Sequence, residues 1–146
     1  MKHIDQRVSQ NIKNIIGEIG ELHCVFQLYS RFSRRGWSVY RNIDEGGYDI
    51  LLSKGGRKIR IEVKTRQRLV SSASNRTQSA YFPPSLIECK KADFLIAYWV
   101  EKNLFYIVPM KEVLKMPRHR FIVKLDKNDK PNKNPATDKD WNTIIK

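Results

Sequence analysis

A chain of 146 residues with 40% hydrophobic content can bury one core but hardly two, so a single domain is expected. The formal net charge of +13 makes a polyanion the partner to expect, with nucleic acid ahead of an anionic membrane surface. A membrane partner is further disfavoured: the longest apolar run, around residues 94–100, is too short to span a bilayer, and no amphipathic basic anchor stands out. The opening MKHIDQRVSQ lacks the apolar core of a secretory signal. Cys24 and Cys89 show neither CxxC nor Cys/His spacing, so the reading is an intracellular protein with ordinary reduced thiols and no zinc site.

From Ile4 to about Phe32, apolar residues recur at Ile12, Ile15, Ile16, Ile19, Leu22, Phe26 and Tyr29. That spacing predicts a long amphipathic helix burying this face, loosened at Gly17 or Gly20. Gly36 closes the basic stretch RFSRRG, and WSVYRNI alternates as a strand. YDILLSKGGRKIRIEVKTRQ, residues 48 to 67, then reads as a hairpin turning at Gly55-Gly56, a pair suited to a type I′ turn. Residues 68 to 84 are polar, end in adjacent prolines and read as a loop. Beyond them the pattern predicts a short helix capped by Ser85, strands DFLIAYWV and LFYIVP joined by EKN, a helix from Pro109 and a last strand RFIVKL. Residues 124–146 form a lysine-rich, proline-broken tail, loop-like or disordered, whose Trp141, Ile144 and Ile145 can dock the end of the chain back; the domain proper is expected over 1–123.

The hairpin carries the chemistry. A turn at Gly55-Gly56 opposes residue 54 to 57, 52 to 59, 50 to 61, and Asp49 to Glu62. Ile50, Leu52, Ile59, Ile61 and Val63 then fall on one face, so Asp49, Glu62 and Lys64 share the other. Opposed side chains have Cβ atoms roughly 4.5–5.5 Å apart, and two carboxylates at that distance repel unless a cation or a proton lies between them. A divalent ion with hard oxygen preferences, Mg2+ above all, resolves the conflict.

These residues resemble the PD-(D/E)XK nuclease superfamily: Asp49, then twelve residues, then Glu62-Val63-Lys64, with Tyr48 where the family usually has proline. GEIGE on the first helix looks like the helix-borne acid of these nucleases, and KKADFLIAYWV-EKN-LFYIVP resembles later strands of intron-homing and restriction-like members. The resemblance implies an α/β restriction-endonuclease-like core, a mixed central sheet flanked by helices. It further implies Mg2+-dependent cutting of DNA, with Mn2+ substituting, to a 5′-phosphate and a 3′-hydroxyl. Asp49 and Glu62 would bind metal with the Val63 carbonyl, Lys64 would position water or stabilise charge, and Glu21 would complete the acidic cluster, with Glu18 as the competing choice. Basic and polar residues Lys54, Arg57, Lys58, Arg60, Arg66, Gln67, Arg68, Asn75, Arg76 and Gln78 are candidates for holding DNA, and Thr65 for a substrate hydrogen bond. Without a separate recognition domain, cutting both strands calls for a homodimer or larger assembly. Restriction-like or homing activity leads over junction resolution, and the alternative outside the enzyme class is a non-catalytic basic nucleic-acid-binding module.

Overall fold

The computed structural model describes residues 9–43, 46–67 and 79–146. These residues form α1 (Gln10–Phe32), β1 (Ser38–Arg41), β2 (Ile50–Lys54), β3 (Arg57–Arg66), β4 (Ser79–Phe82), α2 (Leu86–Lys91), β5 (Phe94–Trp99), β6 (Leu104–Pro109), α3 (Met110–Val113), β7 (Phe121–Lys124) and α4 (Asp138–Thr143). Among them a five-stranded mixed sheet runs in the order β1-β2-β3-β5-β6, and β4 pairs β7 in a small second sheet. Only the central β3–β5 pair of the large sheet is parallel, its crossover carrying β4 and α2. This is the α/β, restriction-endonuclease-like architecture that the sequence resemblance implies.

Alternation along the strands divides the core in two. Ile50, Leu52, Ile59, Ile61, Val63 and Ile96 pack on one side of the sheet beneath Cys24, Leu28 and Phe32 of α1, together with Trp141 and Ile144. Leu95, Ala97, Trp99, Tyr106 and Val108 point to the other side, onto Phe82, Cys89, Val113, Phe121 and Val123. The end of the chain is fastened to α1: Arg31 sits 4.8 Å over the Trp141 ring and bonds Asp138 at 2.6 Å.

The hairpin register is the one read from the sequence, with Lys54 opposite Arg57, Leu52 opposite Ile59 and Ile50 opposite Ile61. Its turn differs. Gly55 takes a positive φ of 59° but Gly56 does not, the pattern of type II′ rather than I′, and the pairing parity survives because both turns have two residues.

Three further expectations change. SAYF, expected in a loop, is strand β4, with Ala80 and Phe82 buried against β7. Gly20 does not loosen α1, which runs unbroken through it. A Cβ there would lie 1.7 Å from Thr65 Oγ1, so glycine is what lets the helix approach β3. The face of α1 is also reversed: Gly20, Cys24, Leu28 and Phe32 are buried, whereas Ile12, Ile15, Ile19, Leu22, Phe26 and Tyr29 are exposed.

Two glycines one helical turn apart should therefore respond oppositely. Gly20→Ala forces α1 off β3 and should lower unfolding free energy by about 1–3 kcal/mol. Gly17→Ala meets nothing within 4 Å and should raise it by up to about 1 kcal/mol, both read by urea denaturation.

Candidate active site

Strand β3 alternates between the two faces, so Lys58, Arg60, Glu62, Lys64 and Arg66 lie opposite Ile59, Ile61 and Val63. Asp49 sits just before β2, where the ladder to β3 ends. Its N–H still donates to the Ile61 carbonyl at 2.8 Å, but its own carbonyl accepts from Asn42 N–H at 2.7 Å. Beyond that point the Asp49 side chain takes over from backbone: Oδ2 accepts from Val63 N–H at 2.8 Å.

Glu62 is 3% exposed. Burial, then the charge of Asp49 and a hydrogen bond with it, push its carboxyl up to about 10, although Lys64 pulls the other way. The two carboxyls thus meet, and the contact favours the protonated form of Glu62. Lys64 Nζ lies 3.6 Å from Glu62 Oε1 and 3.0 Å from Glu88 Oε1. Glu88 was not singled out from the sequence. It is the closing residue of a capping box, accepting from Ser85 N–H at 2.7 Å while Ser85 Oγ accepts from its backbone at 3.2 Å. Burial raises the Glu88 carboxyl, but the Ser85 bond and Lys64 together carry it below the usual range. The Ser-x-x-Glu spacing was a signal for the cap; its contact with Lys64 depends on how α2 packs beside β3.

On α1, Glu21 is the more enclosed of the two candidate acids. Burial and then the Asp49 charge raise its carboxyl, against Arg41, which lies 3.4 Å from Glu21 and 3.0 Å from Glu18. Glu18 remains mostly exposed. Cys24, below this cluster, is a fully buried thiol raised well above its ordinary value by burial and then by Asp49 and Glu21.

The sequence profile of the PD-(D/E)XK endonuclease family matches residues 13–144. The chain belongs to this family. Its fold is similar to that of a bacterial homing endonuclease, I-Ssp6803I, at 18% identity and TM-score 0.57, covering 90% of this chain and 84% of that one. It is also similar to Archaeoglobus fulgidus Hjc, a Holliday junction resolvase, at 18% identity and TM-score 0.48, over 77% of this chain and 84% of that one. A search of curated protein sequences found no match.

The family's divalent ion can be tested against the residues. Among the described residues no three His, Cys, Asp or Glu side chains gather into a metal-holding group. Asp49 and Glu62 nevertheless bring two hard oxygen donors together, and the charge of Asp49 helps to hold the Glu62 carboxyl up, a conflict that a cation would relieve. Val63 adds a third: N–H and C=O of one strand residue point the same way, and the N–H points to Asp49, past the end of the β2 ladder. Two carboxylates and a carbonyl, completed by water and phosphate oxygens, suit magnesium.

The basic candidates separate. Lys58, Arg60 and Arg66 share the face of Glu62, with Arg60 5.7 Å over the Tyr48 ring. Arg66 and Gln67 line a cleft of about 460 Å³ with Lys13, Ile16 and Thr65, whose Oγ1 is buried with no partner among the described residues. Lys54 and Arg57 lie on the opposite face at the hairpin tip, and Arg57 bonds the carbonyls of Ile145 and Lys146. Arg68, Asn75, Arg76 and Gln78 lie outside the described residues. Among the described residues no helix is long and apolar enough to cross a membrane.

Closeness of the two carboxyls predicts a thermal signature. Millimolar magnesium or manganese should raise the unfolding midpoint of the wild type by a few degrees. Asp49→Asn and Glu62→Gln should be at least as stable without metal and lose the increment, as scanning calorimetry with and without chelator will read.

Proposed function

We propose that this PD-(D/E)XK protein is a metal-dependent endonuclease that hydrolyses DNA phosphodiester bonds to 5′-phosphate and 3′-hydroxyl ends. The observation that carries the reading is the enforced Asp49–Glu62 pair with Lys64 beside it, since a protein that only bound phosphate gains nothing from buried carboxylates facing it. When bound, a magnesium ion supplies Lewis-acid polarisation of a phosphate oxygen.

The chain's own residues do the rest. Asp49, Glu62 and the Val63 carbonyl hold the ion, and Glu21, drawn near Asp49, completes the acidic rim. Lys64 donates from its ammonium to the attacking water or to a phosphate oxygen. Held between Glu62 and Glu88, it acts as donor and electrostatic stabiliser. Glu88 is a positioning residue: anchored by its own capping box, it fixes where the Lys64 ammonium sits. Lys58, Arg60 and Arg66, on the same face, hold phosphates, and Gln67 in the adjoining cleft offers a hydrogen bond to substrate, whereas the Thr65 hydroxyl is buried beneath α1 and does not. We read the substrate as duplex DNA cut by a sequence-reading, homing or restriction-like enzyme acting as a homodimer or larger assembly. Support comes from the strands after residue 92 and from the fold shared with a homing endonuclease.

Incubation of supercoiled plasmid and a four-way junction with magnesium, manganese or chelator tests this. Metal-dependent cutting is expected, reduced roughly 10²–10³-fold in Asp49→Ala, Glu62→Ala and Lys64→Ala. Glu88→Gln should cut roughly 10-fold more slowly with unchanged DNA affinity. Binding without cutting in either metal would return the chain to the non-catalytic module, and preference for the junction would reverse the substrate reading.

A further inference from the structure

Helix α1 carries two apolar stripes. Gly20, Cys24, Leu28 and Phe32 meet the sheet, while Ile12, Ile15, Ile19, Leu22, Phe26 and Tyr29 remain between 47 and 62% exposed. At 100° per residue the second stripe lies roughly opposite the first, and among the described residues the core does not cover it. Its steps alternate three, four, three, four, three, the 3.5-residue period of a coiled-coil seam rather than the spacing of scattered surface residues.

We propose that two copies of this chain associate through α1, each seam packed against the other. The seam is self-complementary by composition, as an isologous two-fold interface requires. Half-exposed side chains of this size offer on the order of 600 Å² of apolar surface per copy, near the roughly 800 Å² per partner of a stable interface. The two carboxylates of α1, Glu18 and Glu21, are already answered within the chain, both by Arg41, so the second copy meets a row without uncompensated carboxylates. The competing route, sheet extension, is poorly provided. β1 offers four residues, and the outer edge of β6 is covered where Ala136 N–H donates to the Phe105 carbonyl at 2.6 Å.

The interface does not rest on the nuclease reading, though a second copy would supply the second active centre that cutting both strands requires. Sedimentation of the full chain without DNA or metal tests it, in a dilution series that needs no substitution. The wild type should sediment at twice the 17.2 kDa chain mass. Association should tighten as salt rises, because screening weakens the repulsion between two strongly basic copies while the apolar contact persists. Ile19→Lys with Phe26→Lys, and the milder Ile19→Ser with Phe26→Ser, should raise the dissociation constant by on the order of 10²-fold or more while leaving far-ultraviolet circular dichroism unchanged. A wild type that is monomeric throughout overturns the proposal. So does a dimer that both substituted forms retain, which would place the contact at a sheet edge, or one that salt dissolves.

Discussion

The β2–β3 ladder ends one pair before Glu62, and the site depends on how that end is sealed. Past Ile50 the backbone of β2 turns toward Asn42, leaving Val63 N–H without a strand partner. Asp49 fills the position with its side chain. The carboxylate cannot swing out to water without orphaning a buried amide, at a cost of about 1–3 kcal/mol. Glu62, on the central buried stretch of β3, cannot leave either. Main-chain hydrogen bonding therefore enforces a contact between two carboxyl groups that side chains left free would avoid. Lys64, Glu88 and the Ser85 cap are arranged around that contact, so the capping of a six-residue helix bears on the geometry of an ammonium group.

Much of this was legible because the side-chain period of a strand is two. Once Ile50, Leu52, Ile59 and Ile61 demand one face, a two-residue turn leaves a single register, and Asp49 opposite Glu62 follows whether the turn is I′ or II′. Glu88 was not legible in the same way. Its Ser-x-x-Glu spacing marks a helix start, but contact with Lys64 arises across the parallel crossover, where local pattern says nothing about distance. SAYF was obscured by the prolines and polar run around it; its partner β7 lies some forty residues on. Trp141 shows the reverse: one large apolar residue in a lysine-rich tail does find the core, through Arg31 and Asp138.

The face of α1 shows where periodicity stops discriminating. A stripe at three-and-four spacing is the signature of a helix face buried somewhere, and the larger stripe looked like the one that meets the sheet. Packing chose the smaller one, Gly20-Cys24-Leu28-Phe32, because close approach to β3 needs a residue without a side chain opposite Thr65. Bulky Ile19 or Leu22 at that point would hold the helix too far out to cover Ile61 and Val63. Steric demand at one glycine thus decides which of two apolar faces is spent on the fold.

Charge operates on two length scales here, with opposite signs. At long range the net charge of +13 attracts a polyanion over a distance set by salt. At contact range a phosphate approaching Glu62 meets Asp49, Glu21 and Glu88 as well, and Lys64 alone does not offset them. On the proposed function the attraction that gathers DNA therefore fails at the point where chemistry is to occur unless a cation occupies the carboxylate pair. Cation and phosphate then each lower the cost of binding the other, a reciprocal coupling that follows from the charges whatever the sequence cut. A basic surface surrounding a buried acidic centre is in this sense a conditional site: on the proposed function the chain would hold its polyanion without metal, but the reacting phosphate would settle against Glu62 only with a cation bound beside it.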